Sequence, residues 1–210
     1  MKLNWTLTFF IIAIVVFFLQ LTDVFDWRLF AFTPEFALKM PWTFVTSIFL
    51  HADLAHLIFN MFALLMFGLA LENRIGSRNY LIIFFIAGIV GNIGYMLTSR
   101  NPLIPAIGMS GSIYGIMGTL GILMPGLTVY VGGFAPMPMI FAIFFWGISE
   151  FMGLFTPSSI ARGAHLGGLL IGVLYGIYMR SRETKKRTRK VHITGYADWE
   201  RDSISLLSKP

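Results

Sequence analysis

Two serines, Ser110 and Ser112, stand among glycines in the stretch GMSGSIYGIMG at residues 108–118. A serine hydroxyl becomes a useful nucleophile only when a neighbouring base takes its proton. Of the four histidines, His192 lies in a basic tail, while His51, His56 and His165 stand at the starts of apolar stretches. Asn60 follows His56 by four residues, so on a helix the two side chains share one face. Polar groups inside hydrocarbon are expensive, which makes an intramembrane histidine or asparagine a functional candidate by default. The same residues also suit a plainer role, as hydrogen-bonding glue between helices. With no cysteine in the chain, thiolate chemistry, disulfides and cysteine metal sites are excluded.

These residues sit in an unusually apolar chain. Its 210 residues are 56% hydrophobic and only 12% charged, with a mean hydropathy of +0.74, outside the range of an ordinary soluble fold. Six segments are apolar enough for membrane helices, near 5–22, 54–71, 80–98, 110–124, 136–155 and 164–179. The first lacks a small-residue cleavage site and reads as a retained helix rather than a signal peptide. Six spans put both termini on one side of the membrane. Twelve of the sixteen Lys and Arg residues then share that side, which makes it cytoplasmic. The expected organisation is an all-α polytopic membrane domain over residues 1–180 and a flexible basic cytoplasmic tail over 181–210. The tail's RSRETKKRTRK run suits anionic lipid headgroups, and without interleaved aromatics it does not suit nucleic acid. The 23–53 connection mixes aromatics with sparse charge and is expected to lie partly in the membrane interface. No internal repeat suggests a transporter of inverted halves.

The fourth segment is short. About 15 helical residues cover roughly 22 Å, less than the roughly 30 Å hydrocarbon core, so its beginning at Ser110 lies below the outer surface. The preceding NPLIPAIG is tolerated at that depth only if it is buried in protein or lines a wet cavity. In the sixth segment Ala164, Gly168, Gly172 and Gly176 recur every four residues, and in the fourth Gly111 and Gly115 share that spacing, with Gly118 a turn on. Such small-residue stripes let helix backbones approach closely. Ser110 and His165 then lie at corresponding ends of two packed helices. Residues two apart on a helix diverge by roughly 200°, so Ser112 cannot face the same histidine and is expected to bond the helix backbone.

GMSG around Ser110, AHLGGLLIG around His165, HADLAHLIFNM with His51, His56 and Asn60, and ENRIGS at 72–77 together resemble the rhomboid intramembrane serine proteases. The resemblance covers residues 5–179. It implies a six-helix bundle with a Ser110–His165 dyad and no acid. It also implies an oxyanion site formed by the Asn60 amide, the His56 ring and the Ser110 backbone N–H, with Tyr114, Gly108 and Gly111 in support. One departure is Trp42-Thr43, where many relatives have Trp-Arg. Glu150, the nearest carboxylate in the sequence, reads as a structural or interfacial group, and Glu72 and Arg74 as pins of a cytoplasmic turn. Phe59 and Trp146 suit either a lateral substrate route or core packing.

The resulting expectation is a serine endopeptidase that cleaves transmembrane proteins, mostly single-span, near the external membrane boundary. It needs no metal or organic cofactor, contacts membrane lipids and binds no nucleic acid. Its expected location is the plasma membrane of a prokaryote. The alternative is a non-catalytic rhomboid-like protein that binds membrane clients; such proteins typically lack the serine or the histidine, and both are present here. A histidine metal site is disfavoured because no H-E-x-x-H pattern occurs.

Overall fold

A computed structural model describes residues 4–22, 24–132, 135–156 and 160–207, with side chains as far as Lys185. Six helices form its frame: α1 (Trp5–Leu21), α2 (Leu54–Ile75), α3 (Ser77–Thr98), α4 (Ser110–Leu123), α5 (Met139–Gly153) and α6 (Arg162–Leu207). Each expected apolar segment falls on one of them. Among the described residues, α2 and α3 are long and apolar enough to cross a membrane by length and composition, while α1, α4 and α5 are shorter apolar helices. The backbone of the basic tail continues α6 as helix to Leu207.

The start of the fifth helix differs in kind from the expected one. Residues 136–138, expected to open the fifth helix, belong instead to strand β2 (Ala135–Pro138), paired antiparallel with β1 (Thr128–Val131), Thr128 opposite Pro138. Pro136 and Pro138 lack an N–H and push the residue before each of them out of helical geometry. The helix therefore begins at Met139. An apolar run carries no periodicity that separates a short strand from a helix.

Helix α4 is the centre of the bundle, with ten of its fourteen residues buried. Small residues make this possible. A Cβ added at Gly168 of α6 would overlap the Gly111 carbonyl, and one at Gly172 would overlap the Gly115 carbonyl. The Thr119 hydroxyl bridges the seam, 2.9 Å from the Gly115 carbonyl oxygen and 3.0 Å from that of Gly172. A second small-residue seam runs between α3 and α6. There, a Cβ at Gly91 would stand 2.9 Å from the Ala164 carbonyl oxygen, and one at Gly167 would stand 2.7 Å from that of Val90. Gly172→Val should therefore force α4 and α6 apart, at a cost of about 1–3 kcal/mol, read as a fall of several degrees in Tm in detergent. A Tm equal to that of the unsubstituted protein would show that the seam yields without cost.

The connections tie the ends together. Phe32 and Ala106 exchange backbone hydrogen bonds of 3.2 and 2.8 Å, and the Gly108 N–H donates to the Ser47 carbonyl at 2.9 Å, so the 23–53 connection braces the chain entering α4. Asn92 of α3 holds this connection by donating to the Phe44 carbonyl at 2.9 Å. Thr43 is buried and its hydroxyl donates to the Met40 carbonyl at 2.6 Å. At the other end, the buried Glu72 carboxylate accepts from the Trp5 and Thr6 N–H groups at 3.0 and 2.9 Å and from the Ser77 hydroxyl at 2.8 Å. Glu72 thus caps α1 from the end of α2. Arg74 makes a two-pronged pair with Glu183 of α6, both contacts 2.7 Å.

Candidate active site

Ser110 is the first residue of α4, and no side chain caps that helix start. The N–H groups of a helix's first turn have no intrahelical acceptor, so those at Ser110 remain available to a ligand. Ahead of it, Gly108 has φ +113°, a conformation that disfavours any side chain, and a Cβ there would stand 2.6 Å from the His56 ring. Glycine at this position lets the imidazole rest against the chain leading to the serine. His165 lies in the first turn of α6, and the glycine seam brings its Nε2 to 2.8 Å from Ser110 Oγ. Gly111 takes part in that seam, with a Cβ position 3.4 Å from the Ala164 carbonyl oxygen.

Tyr114, one turn after Ser110, stacks on the His165 imidazole with ring centres 4.5 Å apart and planes 8° from parallel. Its hydroxyl donates to Glu150 Oε1 at 2.7 Å. That same Oε1 is 3.1 Å from His165 Nδ1, and Arg162 Nη1 lies 3.3 Å from Oε2. Glu150, read as structural or interfacial, therefore joins the serine–histidine cluster. Its signal was available: it is the only acidic residue in the fifth apolar segment, and a carboxylate at such a position demands partners.

His56, Asn60, Ser110, Tyr114 and His165 all line one cavity of about 1000 Å³. The Asn60 amide donates to the His56 carbonyl at 2.9 Å, and since an amide carries two N–H bonds one remains for the cavity. The Ala52 N–H approaches His56 Nδ1 at 3.4 Å. That contact makes Nδ1 the acceptor and assigns the proton to Nε2. His51 is buried beside His56, ring centres 5.2 Å apart. Gln20 of α1 fixes its backbone, accepting from the His51 N–H at 3.1 Å and donating to its carbonyl at 3.2 Å. Phe59 and Trp146 also line the cavity, Phe59 mostly exposed and Trp146 packed edge-on to Phe67.

Ser112 is apart from this cluster. It is fully buried, and a Cβ at Gly88 of α3 would come within 2.6 Å of its Oγ. Its hydroxyl finds no hydrogen-bond partner, so the expected bond to the helix backbone is not made. Tight packing against α3, rather than a polar contact, accounts for a residue of that size.

A hydroxyl in contact with an imidazole nitrogen, beside helix-start N–H groups and a carboxamide, is an arrangement for nucleophilic attack and oxyanion binding. The chain is similar to proteins of matching kind. It matches the rhomboid domain model over residues 38–182. It is 30% identical over 160 residues to Rhomboid protein 1, mitochondrial, of Saccharomyces cerevisiae, covering 72% of this chain and 45% of that protein. To the putative rhomboid protease YdcA of Bacillus subtilis it is 32% identical over 133 residues, 63% of this chain and 64% of the relative. To the inactive RHOMBOID-like protein 8 of Arabidopsis thaliana it is 31% identical over 130 residues, 61% and 35%. The chain spans less than two thirds of the length of each of these three. The matched domain takes in α2 to α5 and the part of α6 that carries His165, and on that ground the chain belongs to the rhomboid family, whose members are embedded in membranes.

Proposed function

We propose that this protein is an intramembrane serine endopeptidase, with Ser110 as nucleophile and His165 as its base. The observation that carries the reading is the 2.8 Å contact between Ser110 Oγ and His165 Nε2 at the wall of a cavity within the helix bundle. Ser110 Oγ attacks a peptide carbonyl carbon while its proton passes to His165 Nε2. The carbonyl oxygen becomes an oxyanion held by the Ser110 N–H, the Asn60 amide and the His56 Nε2–H. His165 returns the proton to the leaving amine, and water then repeats the sequence on the acyl-enzyme.

In this reading all six apolar segments cross the membrane, both termini face the cytoplasm, and the enzyme sits in a prokaryotic plasma membrane. Substrates are transmembrane proteins, mostly single-span. Their helices contain small or helix-breaking residues, because a hydrogen-bonded helix hides its carbonyls from attack. Membrane lipid is the other partner, and no metal, organic cofactor or nucleic acid takes part. A non-catalytic client-binding role finds no support in a chain that retains both serine and histidine in contact.

The test is labelling of the purified protein in bilayers by a fluorophosphonate, read by mass spectrometry, together with cleavage of a single-span reporter. The adduct is expected on Ser110, and both readouts should be unchanged by a chelator, since a histidine base needs no ion. Absence of an adduct and of cleavage, or chelator-sensitive cleavage restored by zinc, would overturn the reading.

A further inference from the structure

The cluster around His165 contains more than a dyad needs. Oε1 of Glu150 stands 3.1 Å from His165 Nδ1, the ring nitrogen opposite the one that touches Ser110. The three side chains come from three helices, Ser110 from α4, His165 from α6 and Glu150 from α5, and form a continuous line from hydroxyl to carboxylate. Glu150 is buried and held from two sides, by the Tyr114 hydroxyl at 2.7 Å on Oε1 and by the Arg162 guanidinium at 3.3 Å on Oε2. We infer that Glu150 is the third member of the site, a positioning residue that fixes the His165 ring and stabilises it once it carries the serine proton.

The carboxylate stands beside Nδ1 rather than on the axis of its N–H bond, so Nδ1 makes no well-aligned hydrogen bond in the resting site. In that state the interaction is between a charge and a dipole. When Ser110 attacks, its proton moves to Nε2 and the imidazole becomes a cation, which turns the contact into a charge pair about 3 Å long in a low-dielectric setting. Catalytic contacts commonly tighten at this stage. Glu150 stays ionised throughout and takes no proton, and its remaining lone pairs are occupied by Tyr114 and Arg162. Tyr114 thereby has two tasks, stacking on the imidazole and fixing the carboxylate beside it.

This inference rests on the Ser110–His165 reading, and the experiment separates the two. The groups that face His165 are Ser110 and Tyr114 from α4, Glu150 from α5, Arg162 from α6 and His56 from α2. The measurement is the pH profile of kcat/KM for reporter cleavage in bilayers, with active enzyme counted by fluorophosphonate titration. Its acid limb reports protonation of the base in the free enzyme. Glu150→Gln keeps the size of the side chain but removes the charge that favours the imidazolium. Per active site it should lose about 10- to 100-fold in kcat, with KM little changed, and its acid limb should move to lower pH. Glu150→Asp should recover part of the loss. Tyr114→Phe keeps the stacked ring but strips a donor from the carboxylate, leaving more negative charge for His165, so its limb should move to higher pH.

Glutamate acting only as packing would scale activity equally at every pH and leave the limb in place. Limbs coincident with that of the unsubstituted enzyme in both variants would overturn the inference while leaving the dyad standing. If Glu150→Gln does not accumulate, the Tyr114→Phe limb decides alone. An unsubstituted protein that neither cleaves nor labels would instead defeat the dyad itself.

Discussion

Ser110→Ala should abolish both reporter cleavage and fluorophosphonate labelling, a loss on the order of a millionfold for removal of a serine nucleophile. The neighbouring Ser112→Ala should keep both within a few-fold. The contrast follows from the environments of the two hydroxyls. Ser110 Oγ touches His165 Nε2 at 2.8 Å, while Ser112 is fully buried against α3 with its hydroxyl unpartnered. Deleting an unsatisfied buried hydroxyl removes a desolvation cost rather than a bond, so Ser112→Ala should melt no lower than the unsubstituted protein. Labelling that survives in the Ser110 variant and disappears in the Ser112 variant would reverse the assignment.

Asn60→Ala should slow cleavage by a few hundredfold, the consequence of about 3–4 kcal/mol lost from the barrier when one oxyanion donor is removed. Asn60 is buried on the cavity wall, and among the described residues its side chain bonds within its own helix, to the His56 carbonyl at 2.9 Å. The helix should survive that loss, so the variant is expected to insert and to bind substrate with nearly normal KM. Cleavage at the full rate would remove Asn60 from the mechanism. His56→Ala is less clean as a test, because the ring also packs against the chain at Gly108.

The pairing of Ser110 with His165 was legible in the sequence because it depends on a periodic feature. Glycines four apart on two apolar segments specify close approach, and close approach sets which ends meet. The β1–β2 hairpin was not legible, since alternation over four residues is too short to separate from a helical run until the prolines are weighed. The place of Glu150 was harder still. Its spacing puts it on α5, but which face of α5 meets α6 depends on packing among large apolar side chains, and these have no repeat comparable to the glycines. The seam of Gly91 and Gly94 with Gly163 and Gly167 was visible in principle. It shows that α6 presents small residues to two neighbours, which ties His165 to α3 as well as to α4.

The capping of α1 by Glu72 has a consequence for the order in which the molecule is made. The amide groups of Trp5 and Thr6 are completed by a carboxylate 67 and 66 positions downstream, with the Ser77 hydroxyl on the same oxygen that Trp5 uses. Asn4 caps the same end locally by accepting from the Leu7 N–H at 3.0 Å, so it is the Trp5 and Thr6 amides that depend on the distant carboxylate. Those two amides cannot gain this partner until α2 has been made as far as Glu72. With it, the start of α1 is pinned to the end of α2. The contact lies at the end of the bundle opposite the cavity, and Trp5, Thr6, Glu72 and Ser77 all precede the α4–α6 seam in the chain.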